Sequence, residues 1–162
     1  MKDDFSFQLV NRVSEITRLG EIITEFGKRH RMREKCVFAA NLALEELIVN
    51  IISYAYDDQL DRCIDVHLTL QDSVLRITLE DDGREFNPAE APVVPNEQIS
   101  LDKIEDIELG LRLVRMQVDA ITYARRDGRN ILTLAIEDVP DKKTIASMMH
   151  EERVFPPLCE FS

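Results

Sequence analysis

Tryptophan is absent from this 162-residue sequence, and it holds only five glycines and three cysteines. Cys36, Cys63 and Cys159 are odd in number, lie far apart and form no CxxC pair. That pattern argues against a disulfide framework or a cysteine zinc site and points to a reducing compartment, the cytoplasm. A basic excess is also missing: 20 Lys+Arg against 31 Asp+Glu give a formal net charge of −11. This is the wrong sign for gripping a phosphate backbone, so no direct nucleic-acid contact is expected. No apolar run approaches the roughly 18 residues that a membrane span requires. The opening MKDDFSFQLV sets acids where a signal peptide needs basic and then apolar residues. No internal repeat or low-complexity stretch breaks the chain.

What is present suits one globular unit. Apolar residues make up 44% and charged residues 31%, a balance that supports a single sizeable core. Alternation predicts a strand over Phe5 to Asn11, with Phe5, Phe7 and Leu9 on one face. Ser14 and the series Ile16, Leu19, Ile22, Ile23, Phe26 predict an amphipathic helix closed by Gly27 and the basic cluster Lys28 to Arg33. A longer helix follows from about Glu34 to Tyr56. Two alternating runs, Cys63 to Leu70 and Val74 to Asp81, read as a hairpin turning at Gln71-Asp72-Ser73. From Asn87 to Gly110 the chain carries Pro88, Pro92, Pro95 and many acids, and reads as a long irregular lid. A short helix fits Leu109 to Val118, and Ala120 to Arg126 pairs with Asn130 to Glu137 through Asp127-Gly128-Arg129. The segment from Pro140 to Ser162 has room for one helix. Helices segregated from strands predict an α+β two-layer sandwich, with helices on one face of a mixed, mostly antiparallel sheet.

Two stretches carry chemistry. The long helix is apolar nearly all round, yet at about 100° per residue Glu46, Asn50 and Ser53 fall in one narrow stripe, flanked by Glu45 and Tyr54. A carboxylate and an amide on a core helix need water, donors or a ligand to face. Two oxygen donors four residues apart suit a hard cation and a positioned general base. In the strand Leu75 to Asp81, a period of two sends Leu75, Ile77, Leu79 and Asp81 to the apolar side. Gly83, two residues on, lets a backbone approach a planar group closely. His30, His67 and His150 lack metal-ligand spacing, and Met148-Met149 reads as the packing face of a tail helix.

These residues resemble a known family. Ala43 to Tyr56 resembles the N box of the GHKL ATPases, closest to the anti-sigma factor serine-protein kinases. Glu80-Asp81-Asp82-Gly83-Arg84-Glu85-Phe86-Asn87-Pro88 resembles their first glycine box. Leu109-Gly110-Leu111-Arg112-Leu113-Val114-Arg115 and the hairpin Tyr123 to Leu134 resemble the second glycine box and closing strands. The likeness spans roughly residues 5 to 137, in order, and implies the Bergerat α+β sandwich. It divides the chain into an ATPase-like domain, 1–139, whose lid covers about 87–110, and an extension, 140–162.

By position, the resemblance implies Glu46 as the catalytic base and Asn50 as the Mg²⁺ ligand. It implies Asp81 as acceptor for the adenine amino group, Gly83 beside the base, and Leu109 and Gly110 at the phosphates. ATP and Mg²⁺ are the implied cofactors. The implied partners are a STAS-type anti-anti-sigma protein, phosphorylated on serine, and a sigma factor, with a homodimer as the implied assembly. Transcription regulation without a membrane follows from that reading. The chain departs from the pattern at the phosphate end: Ile107-Glu108-Leu109-Gly110 stands where Gly-Gly-Leu-Gly is usual. Glu108 there adds a like charge beside a triphosphate site. Glu85 replaces Pro or Gly, and Tyr54 stands where His is frequent. Arg84, Lys103, Arg112 and Arg115 are the cations available to offset the acids. A non-catalytic adaptor that keeps the sandwich therefore remains the rival. A detached histidine-kinase module fits the D-D-G-x-x-F-N-P stretch poorly.

Overall fold

The computed structural model of the protein describes residues 2–90 and 100–140. The proposed tail helix, Met148-Met149, His150, Cys159, Pro92 and Pro95 lie outside the described residues. The elements run β1 (Asp3–Val10), α1 (Glu15–Arg29), α2 (Glu34–Tyr54), β2 (Cys63–Gln71), β3 (Val74–Asp81), α3 (Leu101–Gln117), β4 (Ala120–Arg126) and β5 (Arg129–Glu137). The strands form a five-stranded sheet in the order β1-β2-β3-β5-β4. Every pairing in it is antiparallel. This is the expected two-layer α+β sandwich, with a wholly antiparallel sheet instead of a mixed one.

Turn chemistry fixes the two hairpins. Asp72 and Ser73 both hold positive φ between β2 and β3, as do Asp127 and Gly128 between β4 and β5. Two consecutive left-handed residues make the tight turn whose twist matches the flanking strands. Alternation then sends Ile64, Val66 and Leu68 of β2 to one side, with Leu75, Ile77 and Leu79 of β3 and Leu132, Leu134 and Ile136 of β5. All are buried beneath the helices, and the opposite face is more polar and partly to fully exposed.

Within the helical layer, α2 packs against both α1 and α3. Its Ala40, Ala43, Leu44 and Ile48 are wholly buried. By length and mean hydropathy (1.6) α2 is apolar enough to pass for a membrane span, although no unbroken apolar run of that length occurs in it. It is instead the core helix of the sandwich, interrupted by Glu45, Glu46 and Asn50. Gly27, expected to close α1, lies inside it and packs on Val37 of α2. Phe5 shares the side of Leu9 but stays 40% exposed at the sheet edge, tilted against Phe7 and Phe26.

The largest correction concerns α3. It begins at Leu101, about two turns before the expected start near Leu109. Ile104, Ile107, Leu111 and Val114 recur at helical spacing, and the last three are buried. No glycine at 107 or 108 interrupts the ladder, so the second half of the expected lid is helix.

Candidate functional site

One end of the sandwich holds a pocket between α2 and the ends of β3 and β5. On α2, Leu47, Asn50, Ile51 and Tyr54 line it at i, i+3, i+4 and i+7. Leu79 and Asp81 line it from β3, Asn130 and Leu132 from β5, and Tyr123 from β4. Phe86 and Pro88 close one side. The walls are apolar and the polar groups few, the usual makeup of a small-molecule site.

Asp81 sits at the floor, 4% exposed. Its Oδ1 accepts the Gly83 N–H at 2.9 Å and the Asn130 Nδ2 amide at 2.9 Å. No described residue donates to Oδ2, which is the acceptor left for a ligand. Burial pushes the Asp81 carboxyl above the ordinary carboxylate value. Hydrogen bonds from Asn130 and Gly83 and the positive charge of Arg125 pull back, and Asp82 adds to the rise.

Gly83 is buried where the chain leaves β3 and folds onto the C-terminus of α2. A Cβ there would stand 2.6 Å from Ala55 Cβ and 2.8 Å from the Ala55 carbonyl. The Arg84 N–H donates to that carbonyl at 2.8 Å, satisfying a helix-end acceptor. Any side chain at 83 would pry the loop away from the helix.

Asn50 lines the pocket, and its Nδ2 is buried with no hydrogen-bond partner. Half a turn of the amide exchanges this nitrogen for the oxygen. Among the described residues no three acid, His or Cys side chains gather as a metal site. Mg²⁺ asks for less: it keeps water and phosphate oxygens and takes one or two protein ligands. An amide whose buried nitrogen has no partner, and which can turn its oxygen into the pocket instead, fits that ion.

Glu46, one turn before Asn50, is half-buried but does not line the pocket. Its carboxylate lies against the α3 backbone, where a Cβ on Gly110 would stand 2.5 Å from Oε2. Burial raises the Glu46 carboxyl above its ordinary value, with a further push from Glu45. Leu109 is 56% exposed and does not line the pocket. Backbone N–H groups at 107–110, expected to be open for phosphate, are within a continuous helix that began at Leu101. The structure thus brings Asn50, Asp81 and Gly83 together, sets Glu46 on Gly110 at one side, and leaves Leu109 out.

Of the expected cations, Arg84 lines the pocket and pairs with Asp57. Arg115 donates to the Pro88 and Glu90 carbonyls at 3.0 and 3.1 Å, and Lys103 and Arg112 are exposed. Sequence reading missed Asn130, Tyr123 and Arg125. Asn130 lies directly opposite Asp81 across β3 and β5, and opposite Arg125 across β5 and β4. Only the pairing of β5 with β3 exposes that row, and the pattern within one strand does not encode it.

Comparisons with known proteins agree with this geometry. The family model described as histidine kinase-like ATPase domain matches residues 9–136. The serine/threonine-protein kinase BtrW of Bordetella bronchiseptica is 34% identical over 115 residues, 70% of this chain and 79% of that protein. Among solved structures, the RsbU and RsbW domains of Rv1364c from Mycobacterium tuberculosis give a TM-score of 0.61 at 14% identity. That match covers 83% of this chain but only 32% of the mycobacterial one. The SiaB–SiaC complex of Pseudomonas aeruginosa gives 0.52 at 14% identity, covering 82% of this chain and 88% of that one. At such identities the structures show a shared fold, whereas the family model and BtrW show kinship. The chain therefore belongs to the histidine kinase-like ATPase domain family.

Proposed function

We propose that the protein is an ATP-dependent protein serine kinase acting in the cytoplasm on a STAS-type anti-anti-sigma partner. The observation that carries this is the buried Asp81, lining an apolar slot with Asn50, one oxygen saturated and the other given no donor by any described residue. That slot takes the adenine, with Asp81 accepting the 6-amino group and Gly83 keeping the loop tight against it. Asn50 supplies its amide oxygen toward Mg²⁺, which neutralises phosphate charge when bound. Glu46 accepts the proton of the partner's serine hydroxyl as that oxygen bonds to the γ-phosphorus and ADP leaves. Gly110, beside Glu46, and the backbone of Leu109 are assigned to the phosphate end. The kinship with BtrW, itself named a serine/threonine-protein kinase, supports this reading. Control of a sigma factor by sequestration, and a homodimer, complete it. The ATPase-like domain is taken as 1–139, with a lid near 87–110 and an extension over 140–162 of separate role.

A second reading has one observation in its favour. Helix α3 begins at Leu101, so the backbone donors of residues 107–110 lie inside it and are committed to the helix, and exposed Glu108 adds negative charge. A non-catalytic adaptor with a purine slot but no phosphate grip would look this way. Incubation with ATP, Mg²⁺ and candidate STAS-domain proteins, read by intact mass, separates the two. The kinase reading expects a phosphoserine on the partner that is lost in Glu46→Ala while ATP binding is kept. Binding with no transfer to any STAS partner supports the adaptor.

A further inference from the structure

Asp81, Asn130 and Arg125 form one row across three strands, because the register sets Asn130 opposite both. Their side chains join end to end. Asn130 is 6% exposed, and every polar position of its amide is used. Nδ2 donates to Asp81 Oδ1 at 2.9 Å and to the Arg84 carbonyl at 2.9 Å. Oδ1 accepts the Tyr123 hydroxyl at 2.7 Å, Arg125 Nη1 at 2.9 Å and the Phe86 N–H at 3.4 Å. Arg125 Nη1 also donates to the Gly83 carbonyl at 2.8 Å, tying the row to the loop that crosses the pocket floor.

This arrangement fixes which end of the amide faces which neighbour. Donors surround the oxygen and acceptors surround the nitrogen, so a flipped amide would set oxygen against Asp81 Oδ1 and the Arg84 carbonyl. Asp81 consequently has one oxygen consumed and is held as an acceptor, with only Oδ2 given no donor by any described residue. We infer that Asn130, oriented by Tyr123 and Arg125, is the positioning residue that makes this pocket select 6-amino over 6-oxo purines. It acts through the Asp81 carboxylate that it holds. The inference rests on the nucleotide reading and names a determinant within that same site.

The reason is a matter of donors and acceptors. A 6-amino purine offers a donor to Oδ2, whereas a 6-oxo purine offers an acceptor, which a carboxylate repels. Aspartate at 130 would face Asp81 Oδ1 with an oxygen 2.9 Å away in the present geometry. Two carboxyl groups that close share a proton, and the pair then presents a donor as readily as an acceptor.

The test is titration of the full chain with ATP and with ITP, each with Mg²⁺, in the parent, Asn130→Asp, Asn130→Ala and Tyr123→Phe. Tyr123→Phe keeps the ring and loses only the hydroxyl that holds the amide, so it reports even where the Asn130 variants misfold. The expected result is an ATP-over-ITP preference of about tenfold or more in the parent, reduced at least about threefold in Tyr123→Phe and further in the Asn130 variants. Asn130→Asp should show the largest relative gain for ITP. Equal weakening of both nucleotides, leaving their ratio unchanged, overturns the inference and makes Asn130 merely structural. A parent protein that binds neither nucleotide overturns the nucleotide reading and this inference together.

Discussion

Glu46 of α2 and Gly110 of α3 meet so closely that a single methyl group on the glycine would stand 2.5 Å from the carboxylate oxygen. The neighbour is the free end of a flexible side chain, so it can swing aside. Gly110→Ala should therefore fold well. Alanine in a helix interior gains up to about 1 kcal/mol over glycine. The displaced carboxylate, however, no longer holds its place, and phosphotransfer should fall about tenfold or more. Thermal unfolding and a transfer assay on the same preparation check both halves. A variant with raised stability and intact transfer would remove Glu46 from the mechanism.

Gly83→Ala should behave differently, because its neighbours are the Ala55 methyl and carbonyl, which belong to a helix end and cannot swing. The added Cβ forces the loop off α2. A loss of about 1–3 kcal/mol in chemical denaturation is expected. ATP affinity should fall with it, since the Gly83 N–H is one of two donors fixing Asp81. Measured together, denaturation and nucleotide titration should both worsen.

Acidity at Glu46 sets a pH dependence. Burial, then the neighbouring Glu45, hold its carboxyl above the ordinary value in the folded chain. A general base works when ionised, so transfer should rise with pH through a value above that of a free glutamate. Glu45→Gln removes the like charge and should move this acid limb to lower pH, leaving the desolvation part in place. For stability the sign is opposite to that of a salt-bridged acid. Glu46 and Asp81 both have raised folded values. Their contribution is thus full below the unfolded value and lost as pH rises through the folded one. A pH–rate profile of the two proteins checks the shift.

Glu108 lies exposed on α3, two residues before Gly110. Removing its charge with Glu108→Gln keeps a good helix former and takes one negative charge from the phosphate end. Affinity for ATP should rise a few-fold at low salt, and the gain should shrink as salt screens it. Titration at two ionic strengths reads this directly. An unchanged affinity at low salt would place the phosphates elsewhere.

Much of this site is legible residue by residue. Strand alternation puts Asp81, rather than Asp82, on the core side, and the structure buries Asp81 and exposes Asp82. A hairpin turning at Asp127-Gly128-Arg129 is legible, and the structure tightens it to Asp127-Gly128, with Arg129 already in β5. Helix periodicity sets Glu46 and Asn50 on one stripe, but a stripe does not say what packs against it. Asn50 meets the pocket while Glu46 meets α3. The early start of α3 is hidden by the prolines and acids upstream, although Ile104, Ile107, Leu111 and Val114 carry the helical spacing. Asn130 is hidden for a different reason. Its partner Asp81 is 49 positions away in the chain, and only strand order brings them side by side.

The central claim is that a buried Asp81 grips the purine of a nucleotide beside Asn50. Its most direct test is calorimetric titration of the full chain with ATP and Mg²⁺, beside Asp81→Asn. The account predicts micromolar binding by the parent, weakened when Mg²⁺ is chelated, and loss of about a hundredfold or more in the variant with an unchanged melting temperature. Equal ATP affinity in the two folded proteins would contradict it.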